Sequence, residues 1–502
     1  MEYWIQGLME ALQWDVLIAI LCGVMAGTII GAIPGLTATM AIGLLIPLTF
    51  KMPTLVGLGL LLGVYVGGYS GGSFSSVLLG IPGTPSNFVT TFDGYPMSEK
   101  GQAGKALGTS VITSFIGGIF SAVVLSTLAP LLAKVALKFG PAEYFSFALL
   151  GLTLVAGVSG KSLVKGLLAA GIGLLLSYIG TDPMTAIPRF TMGNVNLLRG
   201  IPLVPALIGL FAIPPLLNHV KGNTVLSVSA NKKISGLFLS LAEVKSIFWI
   251  LVSSSFIGTF IGILPGTGAS IAGFISYDVA KKISKRPNLF GSGIIEGVTA
   301  SECCNNATTG GALVPLIVLG IPGDAVTAVL LGGLMIQGLT PGPMLFRENP
   351  GMIYGIFVTF FVANIFMLVF QLCTVKYYAH LTRIRLSILA PILLFLCCIG
   401  SYSISGSMFD VWVMILIGVL GYFLGKMEFP LAPIVLGLVL GPILESNLRR
   451  SLIMSGGNIS LFIKSPIAII CLIMGALSVS LFVFQNRNKE KHIQQGADSN
   501  NG

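Results

Sequence analysis

One stretch, Gly297 to Gly338, is apolar enough to lie in a membrane, yet it carries Glu302, Asn305, Asn306, Thr308, Thr309 and Asp324, with Pro322-Gly323 in its middle. Proline removes a backbone donor and interrupts the helical ladder, and glycine tolerates the turn that follows. Backbone broken inside a bilayer has to line a cavity or be covered by protein, because no water reaches its polar groups. Polar side chains at that depth are costly and mark a pathway for solute or ion. The rest of the chain therefore reads as scaffold around this segment and an earlier counterpart, Gly67 to Asn87.

Composition agrees. The chain has 502 residues, of which 54% are hydrophobic and only 9% charged, against about 25% charged in a soluble domain. The fold class is an all-α polytopic membrane protein, and the length predicts about 10–14 membrane segments at roughly 20 residues each. Its 64 glycines and 26 prolines suit close helix packing and interrupted helices. The net charge of +10 reads as positive-inside loop bias rather than a nucleic-acid footprint. No cysteine spacing matches a zinc or redox site, and His219, His380 and His492 lie by basic loops or in the tail, which argues against a catalytic histidine.

The N-terminal residues to Asp15 hold acids but no Lys or Arg, unlike a signal peptide. Val16 to Phe50 is then an apolar run of roughly 35 residues. As one helix it would reach about 50 Å, too long for a hydrocarbon core of about 30 Å, so it breaks at Pro34-Gly35. Apolar runs follow at Pro53 to Leu79, Ala106 to Ala136, Glu143 to Val158, Leu163 to Ile179 and Ile201 to Leu217. The polar connection Asn218 to Lys245 divides the chain, and Ser246 to Ala280 again is a long apolar run with a central Pro265-Gly266. Asp93-Gly94-Tyr95-Pro96 reads as a turn at the membrane edge, Glu296 and Glu302 as interfacial acids or site residues, and Arg449-Arg450 as an orientation anchor.

The two halves correspond. Gly31-Ala-Ile-Pro34-Gly35 matches Gly262-Ile-Leu-Pro265-Gly266, Gly80-Ile-Pro82-Gly83 matches Gly320-Ile-Pro322-Gly323, and Pro202-Leu-Val-Pro205 matches Pro430-Leu-Ala-Pro433, at offsets of 231, 240 and 228 residues. Three matches in register indicate an internal duplication. The expected organisation is a first membrane repeat at 1–230, a second at 231–463, a terminal transmembrane helix at 464–484 and a disordered polar tail at 485–502. By the positive-inside rule the basic loops 218–245 and 281–286 and the tail are cytoplasmic, which makes 246–280 a re-entrant hairpin and the duplication inverted.

Paired interrupted segments at corresponding positions of two halves point to a transporter's binding site. A half-helix that starts after Pro-Gly offers unpaired N–H groups and the positive end of its dipole, which suits a carboxylate without a buried arginine. The candidate substrate-binding residues are Pro34, Gly35, Thr37, Thr39, Ser73, Pro82, Gly83, Thr84, Asn87, Pro265, Gly266, Thr267, Ser270, Asn305, Asn306, Thr308, Thr309, Pro322 and Gly323. Asp324, Asn305 and Asn306 are candidate cation ligands, with a plain helix cap as the other reading of Asp324. No metal-binding or catalytic set emerges, and no cofactor is expected beyond a coupling ion.

Several of these residues carry a resemblance. The chain resembles the large membrane subunit of the tripartite tricarboxylate transporter family (TctA-like) in Gly31 to Thr39, in Gly71-Gly72 through Gly-Ile-Pro-Gly-Thr-Pro, and in Asp93-Gly94-Tyr95-Pro96-Met97. The likeness continues in Glu296-Gly297-Val298, Glu302, Asn305-Asn306-Ala307 and Phe429 to Glu445 with Arg449-Arg450, and covers about residues 16 to 470. It departs from the family at Ser301, where proline is usual, at Gly80, where asparagine is common, and at Pro215, where an acid is common. The resemblance implies a secondary-active uptake system of the bacterial inner membrane that works by alternating access. Its implied partners are a small four-helix membrane subunit and a periplasmic solute-binding protein delivering a carboxylate such as citrate, with Na⁺ or H⁺ as coupling ion.

No G-x-x-x-x-G-K-[ST] phosphate loop is present. The alternatives are uptake of another small organic anion by the same fold, an intramembrane enzyme, which would need a catalytic dyad at membrane depth, or a channel, which would not need duplicated half-helix ends.

Overall fold

The computed structural model describes residues 2–158, 162–220, 236–265, 268–381 and 386–480. Gly266, Thr267, residues 221–235 of the basic connection and everything beyond 480 lie outside the described residues. In chain order the helices begin with α1 (Glu2–Ala11), α2 (Trp14–Ala32), α3 (Ala38–Thr49), α4 (Thr54–Leu79), α5 (Thr91–Glu99), α6 (Ala103–Ala136), α7 (Pro141–Val158), α8 (Leu163–Ser177) and α9 (Leu203–Val220). After the basic connection come α10 (Leu241–Ile263), α11 (Gly268–Ile283), α12 (Ile295–Leu319), α13 (Ala325–Ile336), α14 (Leu345–Glu348), α15 (Pro350–Leu381), α16 (Leu386–Ser405), α17 (Met408–Lys426), α18 (Ala432–Met454), α19 (Ser460–Lys464) and α20 (Pro466–Ser480). A two-residue ribbon pairs β1 (Gly180–Thr181) with β2 (Pro188–Arg189).

Among the described residues, seven helices are long and apolar enough to cross a membrane, and six more are apolar but shorter. The helices start and stop close to where the apolar runs do, and the long runs break at their Pro-Gly pairs. α3 and α13 have 12 residues each, which is about 18 Å of helix against a core of about 30 Å. Asp93-Gly94-Tyr95-Pro96 is not a turn; it lies inside α5.

The chain packs as two compact units, 1–137 with 204–422, and 138–203 with 423–502. Each unit draws on both halves of the sequence. In the first unit, α2 and α4 face each other through two glycine rows, Gly23-Gly27-Gly31 and Gly63-Gly67-Gly71. A Cβ on Gly67 would stand 2.5 Å from the Val24 carbonyl oxygen, and one on Gly71 2.6 Å from that of Thr28. Small residues every fourth position let backbones approach this closely, the packing that works where lipid gives no hydrophobic drive. α10 meets α12 in the same way: a Cβ on Gly262 would stand 2.6 Å from the Thr308 carbonyl.

α10 also runs inside out relative to a helix of a water-soluble protein. Its buried face holds Ser254, Ser255, Gly258, Thr259 and Gly262, while Trp249, Phe256 and Phe260 are exposed. That is the pattern for a helix bathed in hydrocarbon. The Ser276 hydroxyl of α11 bonds the Ser254 hydroxyl of α10 at 2.9 Å. These residues lie 11 positions either side of Pro265, so α10 and α11 fold back on each other as a hairpin.

In the second unit, α18 packs on α7 and α8. Its loop between α8 and α9 is tied down by charge. Arg189 bonds Asp182 at 2.5 Å and Glu445 at 2.7 Å, and Arg449 bonds Asp182 at 2.9 Å and Glu445 at 3.1 Å. Arg449 is thus part of a four-residue ion network as well as a flank of α18. The Thr185 hydroxyl, the Met184 N–H and both arginines hold the Asp182 carboxyl well below the usual carboxylate range. A depressed folded-state value means that this contribution is complete above the ordinary value of about 3.9 and disappears as pH falls through the folded one.

Two outcomes follow. Gly67→Ala forces a Cβ against backbone and destabilises the first unit by about 1–3 kcal/mol, whereas Gly425→Ala, inside α17 with nothing within 4 Å of its Cβ, does not destabilise and gains up to about 1 kcal/mol of helix propensity; the thermal midpoint of the purified protein reads both. Hydrogen exchange at the Met184 amide stays protected and flat once intrinsic rates are removed, and loosens only below about pH 4; Asp182→Ala, which removes the acceptor, loses that protection at neutral pH.

Candidate functional site

The two Gly-Ile-Pro-Gly breaks end helices in one repeated manner. α4 and α12 each finish on a left-handed glycine, Gly80 at φ 68° and Gly320 at φ 71°. Glycine has no Cβ and adopts this conformation without strain. After the Pro34-Gly35 break α3 starts on Thr37, whose hydroxyl accepts from Met40 N–H at 3.2 Å, and after Pro322-Gly323 α13 starts on Asp324, whose carboxylate accepts from Thr327 N–H at 2.7 Å.

The breaks also meet in pairs. Gly83 donates its N–H to the Gly72 carbonyl at 3.2 Å, and a Cβ there would collide with the Gly31 carbonyl oxygen, just before Pro34-Gly35. A Cβ on Gly323 would stand 2.8 Å from Ala312 and from the Gly262 carbonyl oxygen, just before Pro265-Gly266. The starts of α3 and α13 both rest on one point of α4: Ala38 against Gly68 and Asp324 against Tyr69. The 3₁₀ turn Pro85–Asn87 packs on α11.

Around these breaks lies a buried polar cluster. Glu302 is fully buried and accepts hydrogen bonds from Asn87 Nδ2 at 2.9 Å, from the Thr90 hydroxyl, and from the Ser114 hydroxyl at 3.2 Å. Asn306 Nδ2 donates to Ser114 Oγ at 2.7 Å, and Thr84 donates to Asn87 Oδ1. The Thr90 hydroxyl also bonds the Ser301 hydroxyl at 3.0 Å. A second cluster joins Asp324 to the Tyr69 hydroxyl and to Thr327, with Asn305 Nδ2 donating to the Tyr69 carbonyl at 3.2 Å. The side-chain oxygens of Asn305 and Asn306 are buried without a partner.

Of the residues singled out from sequence, Thr84, Asn87 and Asn306 come together with Glu302, and Asn305 with Asp324. Pro34, Gly35, Pro82, Gly83, Pro265, Pro322 and Gly323 line the breaks. Thr39 and Ser270 lie in the first turns of α3 and α11. Thr308 and Thr309 bond back to their own helix, at Cys304 and Asn306 carbonyls. Ser73 bonds Ser70 and Ser110, which makes it helix-packing glue.

Two participants were not singled out. Glu302, read from sequence as an interfacial acid or a site residue, lies two turns inside α12, with none of its surface exposed. Thr90 and Ser114 were missed altogether. The signal was present in α6, where Ser110, Ser114, Gly117 and Ser121 recur at helical spacing as a small polar stripe.

Glu296 and Asp93 are buried as well. Glu296 pairs with Arg286 at 2.5 Å. Asp93 Oδ1 accepts from the N–H groups of Gly291, Gly293 and Ile294 at 3.0, 2.8 and 3.1 Å, and Oδ2 from the Tyr277 hydroxyl at 2.7 Å. Asp93 thus organises the entry to α12. Asp93→Ala would strand those donors and cost at least about 2 kcal/mol, while Asp93→Asn, which keeps an acceptor, costs less; the thermal midpoints of the two purified variants give the order.

A family model described as "Tripartite tricarboxylate transporter TctA family" matches residues 17–436. An Agrobacterium vitis protein, "Uncharacterized 52.8 kDa protein in TAR-I ttuC' 3'region", is 37% identical over 433 residues, 86% of each chain. A second from the same organism, "Uncharacterized protein in TAR-II ttuC' 3'region", is 39% identical over 237 residues, 47% of this chain and 98% of the relative. No solved structure matches. With its broken, glycine-packed apolar helices and a family match over most of its length, this multi-pass membrane protein belongs to the tripartite tricarboxylate transporter TctA family.

Proposed function

We propose that this chain is the large transmembrane subunit of a binding-protein-dependent secondary transporter of the bacterial inner membrane, importing a tricarboxylate or related carboxylate with a coupling ion. The observation that carries the reading is the matched pair of breaks, each with its Gly-Ile-Pro-Gly glycine seated on the carbonyl that precedes the other break. The start of α3, capped by the neutral Thr37, points a positive helix end at a region with Asn, Thr and Ser donors, while the start of α13 is capped by Asp324. The helices α2, α3, α4, α12 and α13 carry no Lys or Arg, so a carboxylate would be held by N–H groups and by Asn, Thr and Ser side chains, as helix N-termini hold anions elsewhere.

The correspondence of the halves, with α10–α11 as a hairpin, supports an inverted duplication at 1–230 and 231–463 whose basic loops face the cytoplasm. The family reading adds two partners that supply the substrate, a small membrane subunit and a periplasmic binding protein. Broken helices whose lining carries no Lys or Arg also favour a carrier over an intramembrane enzyme.

Uptake of labelled citrate, tested beside other di- and tricarboxylates, checks the reading in cells expressing the complete three-component system. Asn305→Ala removes the side chain that ties α12 to Tyr69 and is expected to lower the initial rate about tenfold, the equivalent of one hydrogen bond, with equal amounts of chain in the membrane. The reading fails if no carboxylate enters, or if the variant transports like the parent.

A further inference from the structure

Six carboxylates are buried among the described residues: Asp93, Asp182, Glu296, Glu302, Asp324 and Asp410. Five have an evident answer to the cost of burying a negative charge. Asp93 takes three backbone N–H groups, Asp182 two arginines, and Glu296 one arginine. Asp324 caps α13 and Asp410 sits in the first turn of α17, where the helix dipole favours an anion. Glu302 has none of these. It lies two turns inside α12, beyond the reach of the dipole, and its donors are one amide and two hydroxyls, all neutral.

The surroundings are short of positive charge in a second, independent way. Asn306 Oδ1 is buried without a donor, although its own amide nitrogen bonds Ser114, the residue that donates to Glu302. A site with an uncompensated carboxylate and a spare amide oxygen is completed by a cation.

We propose that Glu302 is the seat of the coupling ion: one monovalent positive charge, either a proton on the carboxyl or Na⁺ shared with the neighbouring side-chain oxygens, neutralises it. The inference rests on the transport reading above and moves the coupling role away from Asp324, whose oxygens are taken up by Thr327 and Tyr69.

The site is placed to couple. Asn87 and Thr90 belong to the segment that follows the Pro82-Gly83 break, so the charge on Glu302 decides how tightly that segment grips α12. An ionised carboxylate draws in both as donors; a neutralised one no longer needs both. An ion can shift a conformational equilibrium only through such a difference in interaction between states.

Other ionisable groups on the packed elements are engaged elsewhere. Cys303 bonds Ser255, Tyr277 of α11 bonds Asp93 of α5, Tyr65 of α4 bonds the Thr309 carbonyl, and Tyr69 bonds Asp324. Lys105 of α6 pairs with Glu243 of α10. Among the described residues, no lysine or arginine pairs with Glu302.

The test is accumulation of citrate and of other di- and tricarboxylates by the complete transporter in proteoliposomes, under a pH gradient in one arm and a Na⁺ gradient in the other. The parent is expected to respond to one of them, which names the ion. Glu302→Gln should lower accumulation at least about tenfold, the equivalent of losing one charge-assisted interaction, and any downhill flux left should no longer depend on that ion. If the variant keeps the parent's ion dependence, Glu302 is not the seat. A parent that moves no carboxylate under either gradient overturns the transport reading and the coupling role with it; a parent that transports equally well without either ion overturns the coupling role alone. Should Glu302→Gln fail to fold, a membrane-permeant carbodiimide on the parent chain decides: mass spectrometry is expected to find a Glu302 adduct that Na⁺ or alkaline pH suppresses, and an adduct insensitive to both refutes the assignment.

Discussion

A helix that stops inside an apolar layer leaves donors and acceptors that only protein can satisfy, and the arrangement of the first unit answers that constraint. Gly80 and Gly320 end their helices in the left-handed conformation that reroutes the chain at once. Thr37 and Asp324 take up the first free N–H groups of the helices that follow. The glycine of each Gly-Ile-Pro-Gly has no Cβ because its backbone lies against another helix end. Each break is therefore covered by the other break of its pair, and neither could be kept in an apolar layer alone.

That mutual cover depends on how closely the long helices approach. The rows Gly23-Gly27-Gly31 and Gly63-Gly67-Gly71 bring α2 and α4 to backbone contact, and Gly258, Gly262 and Gly311 do the same for α10 and α12. With large side chains at the seams, Gly31 could not reach Gly83, nor Gly262 reach Gly323. Glycine is poor for an isolated helix, but here the gain in packing and in satisfied polar groups outweighs its intrinsic cost.

Much of this was legible in the sequence, for a definite reason. Break positions follow from proline chemistry and from the length a bilayer allows, so the ends of α2, α4, α10 and α12 could be placed without knowing any neighbour. Pairing could not. Asn87 was visible as polar and Glu302 as acidic, yet 215 residues separate them, and no local period says that they touch. Asp93 read as a turn because Asp-Gly-Tyr-Pro is turn chemistry; the three N–H groups that its carboxylate gathers come from a segment some 200 residues away, and that tertiary demand overrides local propensity. The two compact units were equally hidden, since each takes one part from either half of the chain.

The same distinction bears on how such a molecule can move. Contacts between α2 and α4, or α10 and α12, are backbone against backbone along several turns, and sliding them would drive carbonyl oxygens into Cα atoms. Close-packed seams of that kind behave as one body or separate altogether, because interiors pack too densely to deform continuously. Contacts made by the segment after Pro82-Gly83 differ: Asn87, Thr90 and Thr84 hold it by side-chain hydrogen bonds that can be exchanged one for another. A carrier built from these parts would keep its glycine seams fixed and spend its motion at the breaks, where glycine permits large changes in backbone angle. The charge state of one buried carboxylate is then enough to matter, since it sits at the junction between the part that cannot yield and the part that can.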